Sequence, residues 1–107
     1  MTIFDDREDK FEKKFAHDEE LRFKAEARRN KLLGHWAAEL LGKSGDAAEA
    51  YAREVIKADF QEAGDEDVFR KIRNDFDAAG VNQSDHQIRR QMADFLTEAI
   101  RQIQAGE

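Results

Sequence analysis

The chain of 107 residues contains no cysteine and no proline. Without cysteine there can be no disulfide and no thiolate metal site, which fits a reducing compartment such as the cytoplasm. Without proline, nothing in the chain removes a backbone donor or breaks a helix from within. No apolar run approaches the ~20 residues that a membrane-spanning helix needs, so direct membrane insertion is not expected. The N-terminus lacks the basic stretch followed by an apolar stretch that marks a secretory signal. Positive charge is also in short supply: 18 Lys and Arg stand against 24 Asp and Glu, a net charge of −6. Nucleic-acid binders carry a basic footprint, so that class is set aside.

What remains is a chain that is 40% hydrophobic and 39% charged. The apolar share is too large for a disordered polymer, and the length suits one domain with a modest core. Four amphipathic helical segments can be read, separated by glycines. The first spans about 19–41 and carries Leu33, Trp36, Ala37, Leu40 and Leu41 at helical spacing, with Gly42 as its stop. The second spans about 46–63; Asp46 and Glu49 have capping-box spacing, and Ala48, Tyr51, Ala52, Val55 and Ile56 form its apolar face. The third spans about 66–79, with Asp65 as N-cap, a stripe of Val68, Phe69, Ile72 and Phe76, and Gly80 as its stop. The fourth spans about 85–104. It opens on the capping box Ser84-Asp-His-Gln87 and shows Ile88, Met92, Phe95, Leu96, Ala99, Ile100 and Ile103. Short connections between four such helices predict an all-α four-helix bundle over 19–107.

The stretch Phe4-Asp-Asp-Arg-Glu-Asp-Lys-Phe-Glu-Lys-Lys-Phe15 stands apart. Nine of its twelve residues are charged and the other three are Phe4, Phe11 and Phe15. At 100° per residue these three fall within about 40° of one another. Followed onward, their line meets Asp18, Arg22, Glu26 and Arg29, so it is out of register with the bundle stripe. Burying three Phe side chains is worth about 1.5–3 kcal/mol each, while ordering the backbone costs roughly 1–2 kcal/mol per residue. An isolated helix this short is marginal. Residues 1–18 are therefore expected to be mobile or marginally helical and to become ordered in a partner groove that accepts the Phe line. The alternative is that the three rings pack on their own bundle, and the sequence leaves both open.

Other chemistry is sparse. His17, His35 and His86 lie in different segments without metal-ligand spacing, and no catalytic constellation is present, so neither a metal centre nor an enzyme is expected. The Gly-Lys-Ser of "LLGKSGD" lacks the upstream glycine of a phosphate loop and reads as a helix-to-helix turn. "SDHQIRRQ" hints at a DNA-recognition helix, but its acidic surroundings argue against one. Asp59 lies on the apolar side of the second helix, where a carboxylate needs a partner or its pKa rises; an ion pair within the bundle is expected. Arg28, Arg29 and Lys31 form the only concentrated positive charge, a place to hold a phosphate or an acidic surface.

The strings "FDDRE", "KFAHDEELRFKAEARRNKLLGHWAAELLG" and "VIKADFQEAGDEDVFRKI" resemble the zeta subunit of alphaproteobacterial F-type ATP synthases. The resemblance is strongest from Phe4 to about Gly80 and looser in the last helix. It implies a regulatory inhibitor of ATP hydrolysis rather than an enzyme. It further implies that the N-terminal segment inserts at a catalytic interface between alpha and beta subunits near gamma and blocks hydrolytic rotation. Carried onto this chain, the segment holds Phe4, Asp5, Asp6, Arg7, Phe11, Lys14 and Phe15. The family also resembles binders of ADP or ATP. No cofactor is required, and Arg28, Arg29 and Lys31 are the candidates for a regulatory nucleotide. The free protein is expected to be monomeric, cytoplasmic, and peripheral at the inner-membrane ATP synthase. The alternative is a small cytoplasmic module whose bundle senses adenine nucleotides.

Overall fold

A computed structural model describes residues 19–60 and 65–106, and all regular structure among them is helical. The helices are α1 (Glu19–Leu40), α2 (Gly45–Ala58), α3 (Glu66–Ala79) and α4 (Asp85–Gln104). The segment 1–18, with its expected mobility or marginal helicity, lies outside the described residues, as do 61–64.

The core forms where the four apolar faces meet. Leu33, Ala37 and Ala38 of α1 pack with Tyr51 and Val55 of α2, with Val68, Ile72 and Phe76 of α3, and with Ile88 and Met92 of α4. Trp36 closes one side by meeting the Phe76 ring edge-on at 5.6 Å, a geometry that sets ring edge against ring face. Helix α1 is the central element and packs mainly on α2 and α4, while α3 bridges those two. The approach of α1 to α2 depends on Gly34. A Cβ there would lie 2.6 Å from the Ala52 Cα, so any larger residue would push the two helices apart.

The turns follow from backbone chemistry. After α1, Gly42 takes a φ of 78°, and the Lys43 and Gly42 amides donate to the Ala38 and Glu39 carbonyls at 2.8 and 3.1 Å. This is a Schellman closure, repeated after α3 by Gly80 and Val81 onto Asp77 and Phe76. In it Val81 folds back against the core. At the start of α4, Ser84 and Gln87 form the reciprocal capping box, with Ser84 Oγ accepting from the Gln87 amide at 3.1 Å.

Four local expectations are corrected. Helix α2 stops at Ala58 rather than near 63, because the Asp59 and Phe60 amides tighten onto the Ile56 and Lys57 carbonyls and end the α-helical ladder. It begins at Gly45 behind Ser44, so Asp46 is inside the first turn and the Asp46–Glu49 capping box does not form. Asp65 is the N-cap of α3, but its side chain makes no capping hydrogen bond. That carboxylate is engaged elsewhere, by α1. Leu40, read as part of the α1 stripe, ends that helix 39% exposed.

Candidate functional site

Of the residues singled out in the sequence, Phe4, Asp5, Asp6, Arg7, Phe11, Lys14 and Phe15 lie outside the described part of the chain, and so does His17. The bundle itself offers two charged places, both built on the middle of α1.

The three cations Arg28, Arg29 and Lys31 are not brought together. One residue turns a helix by about 100°, so Arg29 faces away from Arg28, while Lys31 returns to within about 60° of it. Arg29 points into the bundle and is 2% exposed. Its Nε donates to Asn30 Oδ1 at 2.8 Å, and its Nη2 donates to Asp65 Oδ1 at 2.8 Å. The same Nη2 is 4.0 Å from Asp59 Oδ1. One guanidinium thus joins α1 to the end of α2 and the start of α3. It also explains why Asp65 does not cap α3 and gives Asp59 its expected ion pair.

The surroundings of Arg29 are overloaded with acid. Burial pushes the Asp59 carboxyl up; Asn30 and Arg29 oppose the shift and the charges of Asp65 and Asp67 add to it. Glu26 is also raised, first by burial and then by the charge of Asp59. Asp67 is buried, and its Oδ1 accepts from Arg70 at 3.3 Å. Its Oδ2 has no hydrogen-bond partner. A single buried cation among several carboxylates can act as a structural clamp, and at 2% exposure Arg29 offers little surface to a ligand.

On the outer face of α1, Arg28 and Lys31 border a cleft of about 440 Å³ together with Leu32, His35, Arg101 and Gln102. Arg101 is paired with Glu98, its Nη2 at 2.6 Å from Oε1. The Nε2 of His35 lies 3.4 Å from Glu49 Oε1. The net positive field of the cleft therefore comes from Arg28 and Lys31. Two cations beside an apolar Leu32 suit an anionic group attached to a flat or apolar body. Among the described residues no three His, Cys, Asp or Glu side chains are grouped to hold a metal ion. No described helix is long and apolar enough to cross a membrane.

Sequence reasoning found the cations but missed their division. The signal was present: the 100° step separates Arg29 from Arg28, and Arg29 shares a face with Leu33 and Ala25.

Comparison with known proteins then places this geometry. The family model described as ATPase inhibitor subunit zeta matches residues 1–102. A chain whose structure was solved in solution by NMR is similar at 49% sequence identity and a TM-score of 0.72. The match covers 81% of the present chain and 99% of that one. No curated protein matches.

Proposed function

The chain belongs to the ATPase inhibitor subunit zeta family, and from that premise we propose that its N-terminal segment is the inhibitory element. As a member of this family it is an inhibitor subunit that associates with the ATPase complex. In the proposed mechanism, residues 1–18 enter a catalytic interface between the alpha and beta subunits of F-type ATP synthase, near gamma, and obstruct rotation in the hydrolytic direction. The bundle stays outside as an anchor, and the protein is a cytoplasmic, peripheral component of the enzyme at the inner membrane.

The observation that carries this reading is the reach of the family match. It extends over 1–102 and so includes the stretch that precedes α1. That stretch has the composition of a segment that folds on binding. The Phe4, Phe11 and Phe15 line supplies apolar area, while the dense mixed charge keeps the free segment soluble and fixes its register. Phe11→Ala combined with Phe15→Ala is expected to weaken inhibition by about a hundredfold or more, given about 1.5–3 kcal/mol per buried ring. Neutralising Lys13 and Lys14 together should cost about tenfold or less, because rim charges contribute little affinity. Inhibition constants for ATP hydrolysis check both, and a reversed order would assign the affinity to electrostatics instead.

The outer cleft of α1 supports a second, compatible reading. Arg28 and Lys31 would hold the phosphates of ADP or ATP as a regulatory ligand. Arg29, which the sequence grouped with them, is engaged inside the bundle. Titrating ADP into the labelled protein is expected to shift the amides of Arg28, Lys31, Leu32 and His35 first. Shifts that centre elsewhere, or none at millimolar ADP, would remove this site from consideration.

A further inference from the structure

The face of α1 that carries Arg28 and Lys31 also carries a larger groove, whose apolar part neither reading uses. It lies between α1 and the C-terminal turns of α2 and α4 and has a volume of about 670 Å³. Its walls are apolar, from Phe23, Ala27, Ile56 and Ile103, and its rim includes Lys24 and Arg28. At its outer end, Phe23 and Phe60 stack with ring centroids 5.9 Å apart, yet they remain 56% and 64% exposed. The groove continues past Arg28 and Lys31, which it shares with the cleft at Leu32 and His35. Lys24 is paired with Glu20 at 3.4 Å. Among the described residues, Arg28 and Lys31 form no ion pair of their own. An apolar floor, a cationic rim and two aromatics left in water call for an occupant that carries carboxylates and its own aromatics.

We propose that this occupant is the chain's own segment 1–15, folded back along α1. Three features converge on it. The segment joins the groove directly, since it precedes Glu19 and Phe23 is one turn into α1. Its composition suits the groove by position rather than by net charge, which is only −1 from five acids and four bases: Phe4, Phe11 and Phe15 answer the floor, and the carboxylates Asp5, Asp6 and Glu12 answer Arg28 and Lys31. The lengths agree as well. From Phe4 to Phe15 a helix would span about 17 Å, and from Phe23 to His35 along α1 the distance is about 18 Å. With a reversal at Ala16–Asp18, Phe15 meets the Phe23–Phe60 pair, Phe11 meets Ala27 and Ile103, and Phe4 reaches Leu32.

The consequence for regulation rests on the inhibitory reading above. The same Phe line cannot fill this groove and an ATPase interface at once. The docked form is therefore a withheld form, and the apparent affinity for the enzyme falls with the fraction of segment that is free.

The chain has no cysteine, so Asp9→Cys gives one attachment point for a nitroxide, on the side opposite the Phe line. In the full-length protein without nucleotide, the nitroxide is expected to broaden the amides of Phe23, Ala27, Lys31 and Ile103, while those around Gly42 and Val81 stay sharp. Ile103→Glu, which sets an acid in the wall, should abolish the broadening. Phe23→Glu should do the same at a site exposed enough to spare the fold. Absent or evenly spread broadening would overturn the proposal. So would broadening that appears only when labelled and isotope-enriched chains are mixed, since the groove would then receive a second copy. If nine tenths of the free protein is docked, Ile103→Glu should lower the apparent inhibition constant by about tenfold. An unchanged constant with docking observed would overturn the regulatory consequence alone. Inhibition that survives deletion of the segment would overturn the inhibitory reading, whatever the nitroxide shows.

Discussion

Deleting Met1–Phe15 is expected to abolish inhibition of ATP hydrolysis and leave the bundle folded. Both halves of the result have a physical basis. Among the described residues, the buried apolar set begins at Ala25 and runs to Ala99. Truncation removes none of these residues, so the helical signal of α1–α4 should persist, with a cooperative thermal transition. The loss of function follows from the three rings. At about 1.5–3 kcal/mol each, their removal corresponds to more than about a thousandfold in affinity. The decisive comparison is full-length against truncated protein at equal concentration in an ATPase assay. Equal inhibition by the two would mean that the bundle surface is the inhibitory element. A small residual effect of the truncated form at high concentration would measure what the bundle contributes as anchor.

The largest effect on stability is expected at Arg29. Arg29→Met keeps most of the side-chain volume but leaves Asp59 and Asp65 without their common cation. Asp59 is mostly shielded from water, whereas the Asp65 side chain is 49% exposed and can be rehydrated. The cost should thus lie at the low end for a broken buried pair, about 3 kcal/mol, or of order 10–20 °C in Tm for a domain of this size. Asp59→Asn should recover part of the loss in the Arg29→Met background, because it removes the stranded charge. The pH dependence supplies an independent check. Asp59 and Glu26 have raised pKa values in the folded state, so the fold binds protons there more readily than the unfolded chain does. Stability from these two groups is therefore lost as pH rises through their folded pKa and regained as it falls. Arg29 is the cation that holds Asp59 down, so its removal should steepen this dependence. The deficit of Arg29→Met is expected to shrink as pH falls from neutral into the raised titration range of Asp59, as read by denaturant unfolding. A deficit that does not vary with pH would show that lost packing, rather than stranded charge, causes it.

Much of the fold was legible because it is written locally. The stop at Gly80 needs only a residue at ease with a φ of 71° and an apolar Val81 to fold back. The cap of α4 needs only Ser84 and Gln87 three residues apart. The core residues Leu33, Ile72, Phe76, Ile88 and Met92 repeat at helical spacing. The errors arose where a distant residue redirected a local one. Asp65 has the chemistry of an N-cap, but its carboxylate goes to Arg29, 36 positions away. The apolar spacing of α2 extends to about 63, yet the helix ends at Ala58, with Asp59 turned toward the same guanidinium.

The candidate site divides in the same way. Residue order alone sets out four helices around one core, and it gives Phe4, Phe11 and Phe15 a spacing out of register with the apolar stripe of α1. It also determined where positive charge is concentrated, because residue type and the 100° step are properties of the chain alone. Only the tertiary structure decided which of those charges meet solvent. Arg29 is drawn inside because Asp59 and Asp65 arrive from two other elements and offset its desolvation. Arg28 and Lys31 stay outside, on the rim of a groove that three helices build together. Periodicity along one helix fixes which face turns inward. The partners that await a charge on that face come from elsewhere in the chain, and no local pattern encodes them.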